Sequence, residues 1–218
     1  MTKKLHRIGI FGGTFDPVHE GHVRLAEFVL AQGIVDLILF LPAARPPHKA
    51  EAIAPFFHRI SMLKKVISGR AEFAVSTLEG RRQGPSYTVD SLQALKCEYG
   101  DTRLFFLLGA DSLIELHHWH HFAEIFQLAA LIVAARSGLS DEQCYQAIRK
   151  LPGNFTSDRQ CRLWKRDDGA EIYYLKGFSC PVSSSEVRKQ LQKGVRPQGV
   201  AAEVFWYIQE HKLYLSAS

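Results

Sequence analysis

Short apolar runs alternate with amphipathic stretches along this 218-residue chain. The apolar runs are continuous rather than broken by polar residues, which is typical of strands in a sheet that is covered on both faces. Strands are predicted at residues 7–11, 36–41, 71–76, 103–108, 129–135 and 171–175. Helices are predicted from amphipathic spacing and helix-start signals at residues 18–32, 56–68, 87–99, 111–126 (as one or two short helices), 140–150, 183–192 and 200–211.

This alternation predicts an α/β fold with a Rossmann-like, doubly wound parallel sheet, formed as a single domain over residues 1–218. Residues 42–55 and 78–86 are predicted as loops, and the polar stretch 151–169 as a flexible loop. In sheets of this kind ligands bind beyond the carboxyl ends of the strands, so we expect a site there.

The segment Gly12–His22, which reads GGTFDPVHEGH, joins the first predicted strand to the first predicted helix. Its two glycines let the backbone approach a ligand closely, and Asp16 followed by Pro17 is predicted to cap and open the helix. The helix N-terminus favours phosphate, and His19 and His22 share a face of the opening turn. Because these features coincide, they predict a phosphate site rather than an ordinary tight turn.

The composition is that of a globular protein, with 46% hydrophobic residues, 22% charged residues and a formal net charge of +5 that suits anionic ligands. The four cysteines form no C-x-x-C pair, which indicates reduced thiols in a cytoplasmic protein. No apolar run approaches the ~20 residues that span a bilayer, and the N-terminal run is too short for a secretory signal. No basic block is interleaved with aromatic residues, so neither membrane nor nucleic-acid binding is predicted.

Further candidates follow other predicted strands. Lys49 lies in a loop stiffened by Pro46 and Pro47, and it is either a solvated lysine or a fixed charge for a phosphate. Gly109 allows close approach of a ligand. Asp111 is either a plain helix cap or an acceptor for ribose hydroxyls.

A predicted capping box of Ser183 and Glu186 opens a helix late in the chain. It places the hydroxyls of Ser184 and Ser185 at the helix tip and Arg188 one turn further on, within reach of an anion. The alternative is a well-capped surface helix, and the glycine–histidine turn favours the anion site.

Two more segments have both a structural and a functional interpretation. Residues 86–88 start a helix whose N–H groups either hold a carboxylate or belong to an ordinary helix start. In the segment His117–His121, His117, His120 and His121 share a helical face, as metal ligands can. No cysteine or carboxylate completes a ligand set, so surface or packing histidines are favoured and no protein-bound metal is predicted.

The Gly12–His22 segment resembles the signature of the nucleotidylyltransferase superfamily, Gly-Gly-Thr-Phe-Asp-Pro followed by His-x-Gly-His. Residues 46–49, 86–92, 109–112 and 183–188 are similar to motifs of the bacterial nicotinate-nucleotide adenylyltransferases, in family order. The resemblance implies that the adenylyl group of ATP is transferred to nicotinate mononucleotide, forming deamido-NAD and pyrophosphate in NAD biosynthesis.

The resemblance also implies roles for single residues. The implied catalytic residues are His19, His22 and Arg188. The implied ATP-binding residues are Gly12, Gly13, Thr14, Phe15, Gly109, Asp111, Ser184 and Ser185. The implied substrate-binding residues are Lys49 near the acceptor phosphate, Thr88 and Trp119 at the nicotinate ring, and Ser86 and Tyr87. Mg²⁺ is expected on the ATP phosphates rather than on protein ligands.

Several alternatives stay open at this point. The acceptor nucleotide could be nicotinamide mononucleotide, because the choice between acid and amide depends on fine geometry. Phosphopantetheine is a weaker alternative, since residues 86–88 argue against it. A non-catalytic nucleotide sensor would not need His19, His22 and Arg188, and a nucleic-acid binder has little support. Trp119 could be a core residue, and the sequence leaves the oligomeric state open.

Overall fold

The computed structural model describes residues 6–47, 53–135 and 139–215. The strands are β1 (Arg7–Gly13), β2 (Leu37–Pro42), β3 (Phe73–Val75), β4 (Arg103–Gly109), β5 (Ala130–Ala134), β6 (Thr156–Ser157), β7 (Leu163–Lys165) and β8 (Glu171–Leu175). The helices are α1 (Glu20–Ala31), α2 (Phe56–Val66), α3 (Leu78–Arg81), α4 (Thr88–Tyr99), α5 (Ala110–Ile114), α6 (Phe122–Leu128), α7 (Asp141–Lys150), α8 (Ser184–Gln192) and α9 (Ala202–Glu210). A 3₁₀ turn spans Leu116–His118.

The eight described strands join in one sheet with the order β3-β2-β1-β4-β5-β8-β7-β6. All neighbouring pairs from β3 to β8 are parallel, and β6 and β7 add an antiparallel edge. Helices cover both faces, which explains why β4 buries five consecutive residues, Leu104–Leu108. Within β4, Phe105 and Leu107 pack in one core cluster and Phe106 in the other. The predicted doubly wound fold is confirmed.

The strand order reverses between β1 and β4, and this reversal fixes where a ligand can bind. From β1 the chain proceeds outward through β2 to β3, and it then returns to place β4 on the other side of β1. The connections therefore leave the carboxyl ends of β1 and β4 in opposite directions and open a crevice between them. Gly12 and Gly13 end β1, and Gly109 ends β4, so the predicted turn lies at this crevice.

The start of α1 differs from the prediction. The helix begins at Glu20 and is capped by His19, whereas the sequence predicted a start at Asp16 and Pro17. The Nδ1 atom of His19 accepts the Gly21 N–H at 3.1 Å, so an imidazole does what a carboxylate was expected to do. The carboxylate of Asp16 instead bonds to other parts of the chain, which are described below.

The two capping boxes have different outcomes. Ser140 and Gln143 form the complete reciprocal box at the start of α7, as predicted. At α8 the Ser183 hydroxyl accepts the Glu186 N–H at 3.2 Å. This is the bond that the serine side chain contributes to the predicted box.

Two segments predicted as loops contain regular structure. Residues 78–86 include the short helix α3, and residues 151–169 include β6 and β7, so the prediction of a flexible loop was wrong there. The prediction rested on the polar composition of this segment and overlooked Trp164. The side chain of Trp164 is only 2% exposed, and its ring centroid lies 5.5 Å from that of Tyr145. Burial of such a large apolar side chain outweighs the polarity of its neighbours.

No helix among the described residues is both long enough and apolar enough to cross a membrane.

The packing of Trp164 gives a test of the β6–β7 segment. Trp164→Ala is expected to lower the free energy of unfolding by about 3–5 kcal/mol, because a large buried ring leaves a cavity. Trp206→Ala is the matched control: Trp206 is 63% exposed, so its loss is expected to change stability by no more than about 0.5 kcal/mol. Urea denaturation measures both variants, and equal stability of the two would contradict a packed edge.

Candidate active site

Two adjoining cavities occupy the crevice beyond the carboxyl ends of β1 and β4. The polar cavity has a volume of about 390 Å³, and the apolar cavity has a volume of about 350 Å³. Both cavities are lined by Gly12, Gly13, Thr14, Phe106, Asp111, Ser112 and Trp119. One elongated ligand could therefore occupy both cavities and pass over the glycine turn.

Most of the predicted site residues lie around these cavities. The polar cavity is lined by Gly12, Gly13, Thr14, His19, His22, Gly109, Asp111, Ser184, Ser185, Arg188 and Trp119. The apolar cavity is lined by Ser86, Tyr87, Thr88 and Trp119, together with the shared residues. Lys49 lies outside the described residues. Phe15 lines neither cavity.

The two histidines are held by backbone N–H groups. His19 Nδ1 accepts the Gly21 N–H at 3.1 Å, and His22 Nδ1 accepts the His19 N–H at 3.2 Å. An Nδ1 atom that accepts a hydrogen bond carries no hydrogen, so each ring is held as the Nε2–H tautomer. The ring centroids are 3.8 Å apart. The site therefore holds two imidazole N–H donors side by side on the wall of the polar cavity.

This arrangement corrects the expectation that backbone N–H groups of α1 meet a phosphate. The Glu20 N–H is bonded to the Gly199 carbonyl at 2.7 Å, and the Gly21 N–H is bonded to His19. The positive end of the helix dipole still lies at this point. The imidazoles of His19 and His22, rather than these backbone N–H groups, line the polar cavity.

The side chain of Phe15 packs in the core next to the turn. Its side chain is buried with Phe11 and Phe40, and its ring meets the His22 ring edge-on at 5.0 Å between centroids. Its φ angle of 49° lies in the left-handed region, which is uncommon for a bulky residue. A strained backbone of this kind persists only where its surroundings enforce it, as at ligand-binding turns. Phe15 therefore orients His22 rather than touching a ligand with its side chain.

Close packing explains the glycine at the end of β1. A Cβ atom on Gly12 would lie 3.1 Å from the Phe106 ring. The same atom would narrow the crevice, because both residues line both cavities. Glycine keeps the floor of the site at backbone level.

Arg188 is fixed against the turn. Its Nη1 donates to the Asp16 carbonyl at 2.6 Å, and its Nη2 donates to the Ser185 hydroxyl at 3.4 Å. The Ser184 hydroxyl donates to the Pro17 carbonyl at 3.0 Å. The start of α8 is thereby docked on the turn, and the guanidinium keeps further N–H groups for an anion in the polar cavity.

The apolar cavity is built from aromatic rings and the start of α4. Trp119 meets Phe106 edge-on with centroids 6.0 Å apart, and Tyr87 stacks on His120 at 4.2 Å. Thr88 is the first residue of α4, and no side chain of the described residues caps this helix. The cavity therefore combines flat apolar walls with a helix N-terminus that attracts negative charge.

Ser86 joins two loops of the apolar cavity. Its hydroxyl oxygen accepts the N–H groups of Ala44 and Arg45 at 3.1 and 2.9 Å, and its own N–H donates to the Arg45 carbonyl at 2.9 Å. The side chain of Ser86, an expected substrate-binding residue, thus holds the loop after β2.

Two buried charged residues near the site were missed by the sequence reasoning. Glu79 accepts the Ala44 N–H at 3.1 Å and the Ser91 hydroxyl at 2.8 Å. Arg59 is 1% exposed and donates from Nη1 to the carbonyls of Thr14 and Ala43 at 2.7 and 2.8 Å. Burial lowers the pKa of Arg59 from its ordinary value, and the nearby Asp16 charge opposes this shift. In the sequence Arg59 lies in a predicted helix and Glu79 in a predicted loop, and charged residues at either kind of position are usually exposed to solvent.

The histidines of 117–121 do not gather around a metal. His121 Nδ1 lies 2.6 Å from Glu124, and His117 Nδ1 lies 2.9 Å from the Ile114 carbonyl. Among residues 6–47, 53–135 and 139–215, no group of three or more potential ligands could hold a metal ion. His120 lines the apolar cavity, which the sequence did not indicate.

Comparison with known proteins agrees with this geometry. The cytidylyltransferase-like family matches residues 10–190, a range that contains the glycine–histidine turn and the start of α8, and this match defines the class of the protein. A protein of Desulfotalea psychrophila named "Probable nicotinate-nucleotide adenylyltransferase" is 39% identical over 216 residues, which cover 96% of this chain and all of that protein. A Geobacter sulfurreducens protein of the same name is 38% identical over 95% of this chain and 98% of its own length. The chain belongs to the nicotinate-nucleotide adenylyltransferases.

A solved structure shares the fold. Plasmodium falciparum nicotinic acid mononucleotide adenylyltransferase, in complex with NaAD, superposes with a TM-score of 0.72 at 20% sequence identity. The match covers 95% of this chain and 97% of that one. The similarity of the two folds therefore extends over nearly the full length of both chains.

The tautomers of the two histidines can be tested directly. Nitrogen-15 NMR of the ring atoms of His19 and His22 is expected to show a bare Nδ1 and a protonated Nε2 in both residues, because each Nδ1 accepts a backbone N–H. Assignment uses the variants His19→Gln and His22→Gln, each of which removes one set of signals. A proton on Nδ1 of either ring would contradict the capping geometry.

Proposed function

We propose that this protein transfers the adenylyl group of ATP to nicotinate mononucleotide and forms deamido-NAD and pyrophosphate in NAD biosynthesis. The observation that carries the proposal is the pair of imidazole Nε2–H donors of His19 and His22 beside Arg188 in the polar cavity. The names of the full-length relatives agree with this activity.

The reaction needs positioning and charge stabilisation rather than a protein nucleophile. A phosphate oxygen of nicotinate mononucleotide attacks the α-phosphorus of ATP, and the bond from that phosphorus to the bridging oxygen of the β-phosphate breaks. The electron pair leaves with pyrophosphate. Because a phosphate monoester has a second pKa of about 6, the attacking oxygen is already ionised near neutral pH. Catalysis then consists of in-line alignment and stabilisation of the charge on the leaving group.

The three catalytic residues provide hydrogen bonds and charge where pyrophosphate forms. His19 and His22 donate from Nε2 to phosphate oxygens, and their orientation is set before ATP binds by the backbone N–H groups on Nδ1. Arg188 adds a positive charge that is already fixed to the Asp16 carbonyl. Little reorganisation is needed at the moment of transfer, which is the source of the rate enhancement.

The ATP site uses the rest of the polar cavity. The glycine turn, with Gly12, Gly13 and Thr14, passes beneath the phosphates, and Ser184 and Ser185 line the same cavity at the start of α8. Gly109 ends β4 and Asp111 follows it, and both lie on the ribose side. Phe15 acts by supporting His22.

The acceptor site is the apolar cavity. The nicotinate ring lies against Trp119, and its carboxylate faces the N-terminus of α4 at Thr88, where the helix dipole favours a negative charge. Ser86 and Tyr87 shape this wall. Lys49, outside the described residues, is proposed as a charge for the acceptor phosphate.

Three further elements complete the proposal. Mg²⁺ enters with the ATP phosphates as part of the substrate and neutralises their charge. The protein acts in the cytoplasm, as its four cysteines without a C-x-x-C pair suggest. Residues 1–218 form a single nucleotidylyltransferase domain.

The acceptor is tested by pyrophosphate release. The protein is supplied with ATP and Mg²⁺ and with nicotinate or nicotinamide mononucleotide in parallel. A preference of about tenfold or more for the acid in kcat/KM is expected, because a carboxylate interacts with the α4 N-terminus more strongly than an amide does. Equal use of both nucleotides would refute the acid-specific account of the ring site. The absence of release with either would favour phosphopantetheine as acceptor or a nucleotide sensor.

The catalytic role of His22 is tested by His22→Ala. The variant is expected to lose about 10²- to 10³-fold in kcat, which is typical for removal of one charge-stabilising donor, with KM for ATP changed by less than about threefold. His121→Ala is the matched control, since His121 is exposed, pairs with Glu124 and lines neither cavity. Steady-state kinetics measures both. Wild-type turnover in His22→Ala would exclude the assigned role.

A further inference from the structure

One buried carboxylate joins the active-site turn to two distant segments of the chain. Asp16 Oδ2 accepts the Ile53 N–H at 2.7 Å, and Oδ1 accepts the Ala54 N–H at 3.2 Å. Oδ1 also accepts the hydroxyl of Tyr214 at 2.5 Å. Asp16 is 4% exposed, so these protein donors replace the water that an ionised carboxylate would otherwise require.

The same residue holds the catalytic cation. The Asp16 carbonyl accepts Arg188 Nη1 at 2.6 Å, and the adjacent Pro17 carbonyl accepts the Ser184 hydroxyl at 3.0 Å. A displacement of the Asp16 backbone therefore moves the guanidinium and the start of α8 together. Arg188 lines the polar cavity, whereas the side chains of Asp16 and Tyr214 do not.

Tyr214 reaches Asp16 across 198 positions of sequence. It follows α9, is 6% exposed and has a φ angle of 61°, and the preceding Leu213 N–H is bonded to the Ile208 carbonyl at 3.0 Å. Burial raises the pKa of Tyr214 well above its ordinary value. The phenol thus keeps its proton at neutral pH and remains the donor in its bond with Asp16.

We propose that Tyr214 is a positioning residue for adenylyl transfer, because its hydroxyl fixes Asp16 and Asp16 in turn fixes Arg188 over the phosphates. The carboxylate of Asp16 also accepts the N–H groups of Ile53 and Ala54. These two residues directly follow residues 48–52 in the sequence, and Lys49 belongs to those residues. The hydrogen bond from Tyr214 to Asp16 thus connects the segment after α9 to the active-site turn. This inference depends on the proposed function.

Tyr214→Phe removes only the hydroxyl and keeps the buried ring. We expect kcat to fall about tenfold, since a shift of a positioned charge by a fraction of an ångström is enough for such a loss. KM for ATP is expected to change by less than about twofold, because most contacts to ATP stay in place. A residue that only stabilises the fold would leave the kcat of the folded fraction unchanged.

Tyr207→Phe is the matched control. Tyr207 lies in the neighbouring helix α9, is also buried, and its hydroxyl is 2.9 Å from His58 Nδ1 rather than near Asp16. This variant is expected to keep kcat within about twofold of wild type, because substitutions away from the site usually have small effects. Thermal unfolding of both variants shows whether their losses of stability are comparable.

The route through Arg188 is tested in a double variant. If Tyr214 acts on Arg188, Tyr214→Phe is expected to cost less than about twofold when Arg188 is already alanine, because coupled residues are not additive. A full tenfold loss in the Arg188→Ala background, or unchanged kcat in Tyr214→Phe, would overturn the inference. Should Tyr214→Phe not fold, Asp16→Asn alters the same bond from the other side and is expected to lower kcat by a similar factor; unchanged kcat there would count equally against it.

The wild-type assay separates this inference from the proposed function. Absence of pyrophosphate release by the wild-type protein would refute the function itself. Active wild-type protein with a fully active Tyr214→Phe variant would refute only the role of Tyr214.

Discussion

Two hydrogen bonds at the start of α1 determine what the active site can do. The Gly21 N–H is bonded to the Nδ1 atom of His19, and the His19 N–H is bonded to the Nδ1 atom of His22. The same two bonds therefore cap the helix and fix the tautomer of both imidazoles. A helix capped by aspartate would satisfy the same backbone group and provide no donor toward the ligand, because an ionised carboxylate only accepts hydrogen bonds. Histidine at the cap makes the helix start a source of side-chain N–H groups. Arg188, Ser184 and Ser185 line the same polar cavity as this pair.

The rest of the site depends on buried charges that hold loops rather than ligands. Arg59 joins the turn after β1 to the loop after β2 through the carbonyls of Thr14 and Ala43. Glu79 and Ser86 hold the other side of that loop through the N–H groups of Ala44 and Arg45. Removing one partner of such a network exposes buried polar groups to an apolar environment, which costs more than the bond itself contributes. The loop after β2, which contributes Ala43 to the wall of the apolar cavity, is therefore held from both sides.

Much of this architecture follows from local sequence. The continuous apolar runs predicted the core strands, and the glycine turn, the histidine pair and the start of α8 predicted which ends of the strands carry the site. Two of the errors have a common cause, because they involve partners that are distant in sequence. Asp16 was predicted as a helix cap from its neighbours in sequence, but its carboxylate bonds to Ala54 and Tyr214. Residues 151–169 look like a flexible loop until the burial of Trp164 is known. Local propensity carries no information about such tertiary partners.

The position of β4 beside β1 also has a consequence for the order of folding. Ile8 pairs with Leu104, so the two strands that flank the crevice are brought together from opposite ends of a long intervening segment that itself contains β2 and β3. Contacts between distant parts of a chain form late, since the entropy of closing the loop must be overcome first. The outer strands β2 and β3 can associate with β1 before any crevice exists. A refolding chain would then regain most of its helix and sheet signal before it regains turnover, and the return of activity would report the last step of assembly.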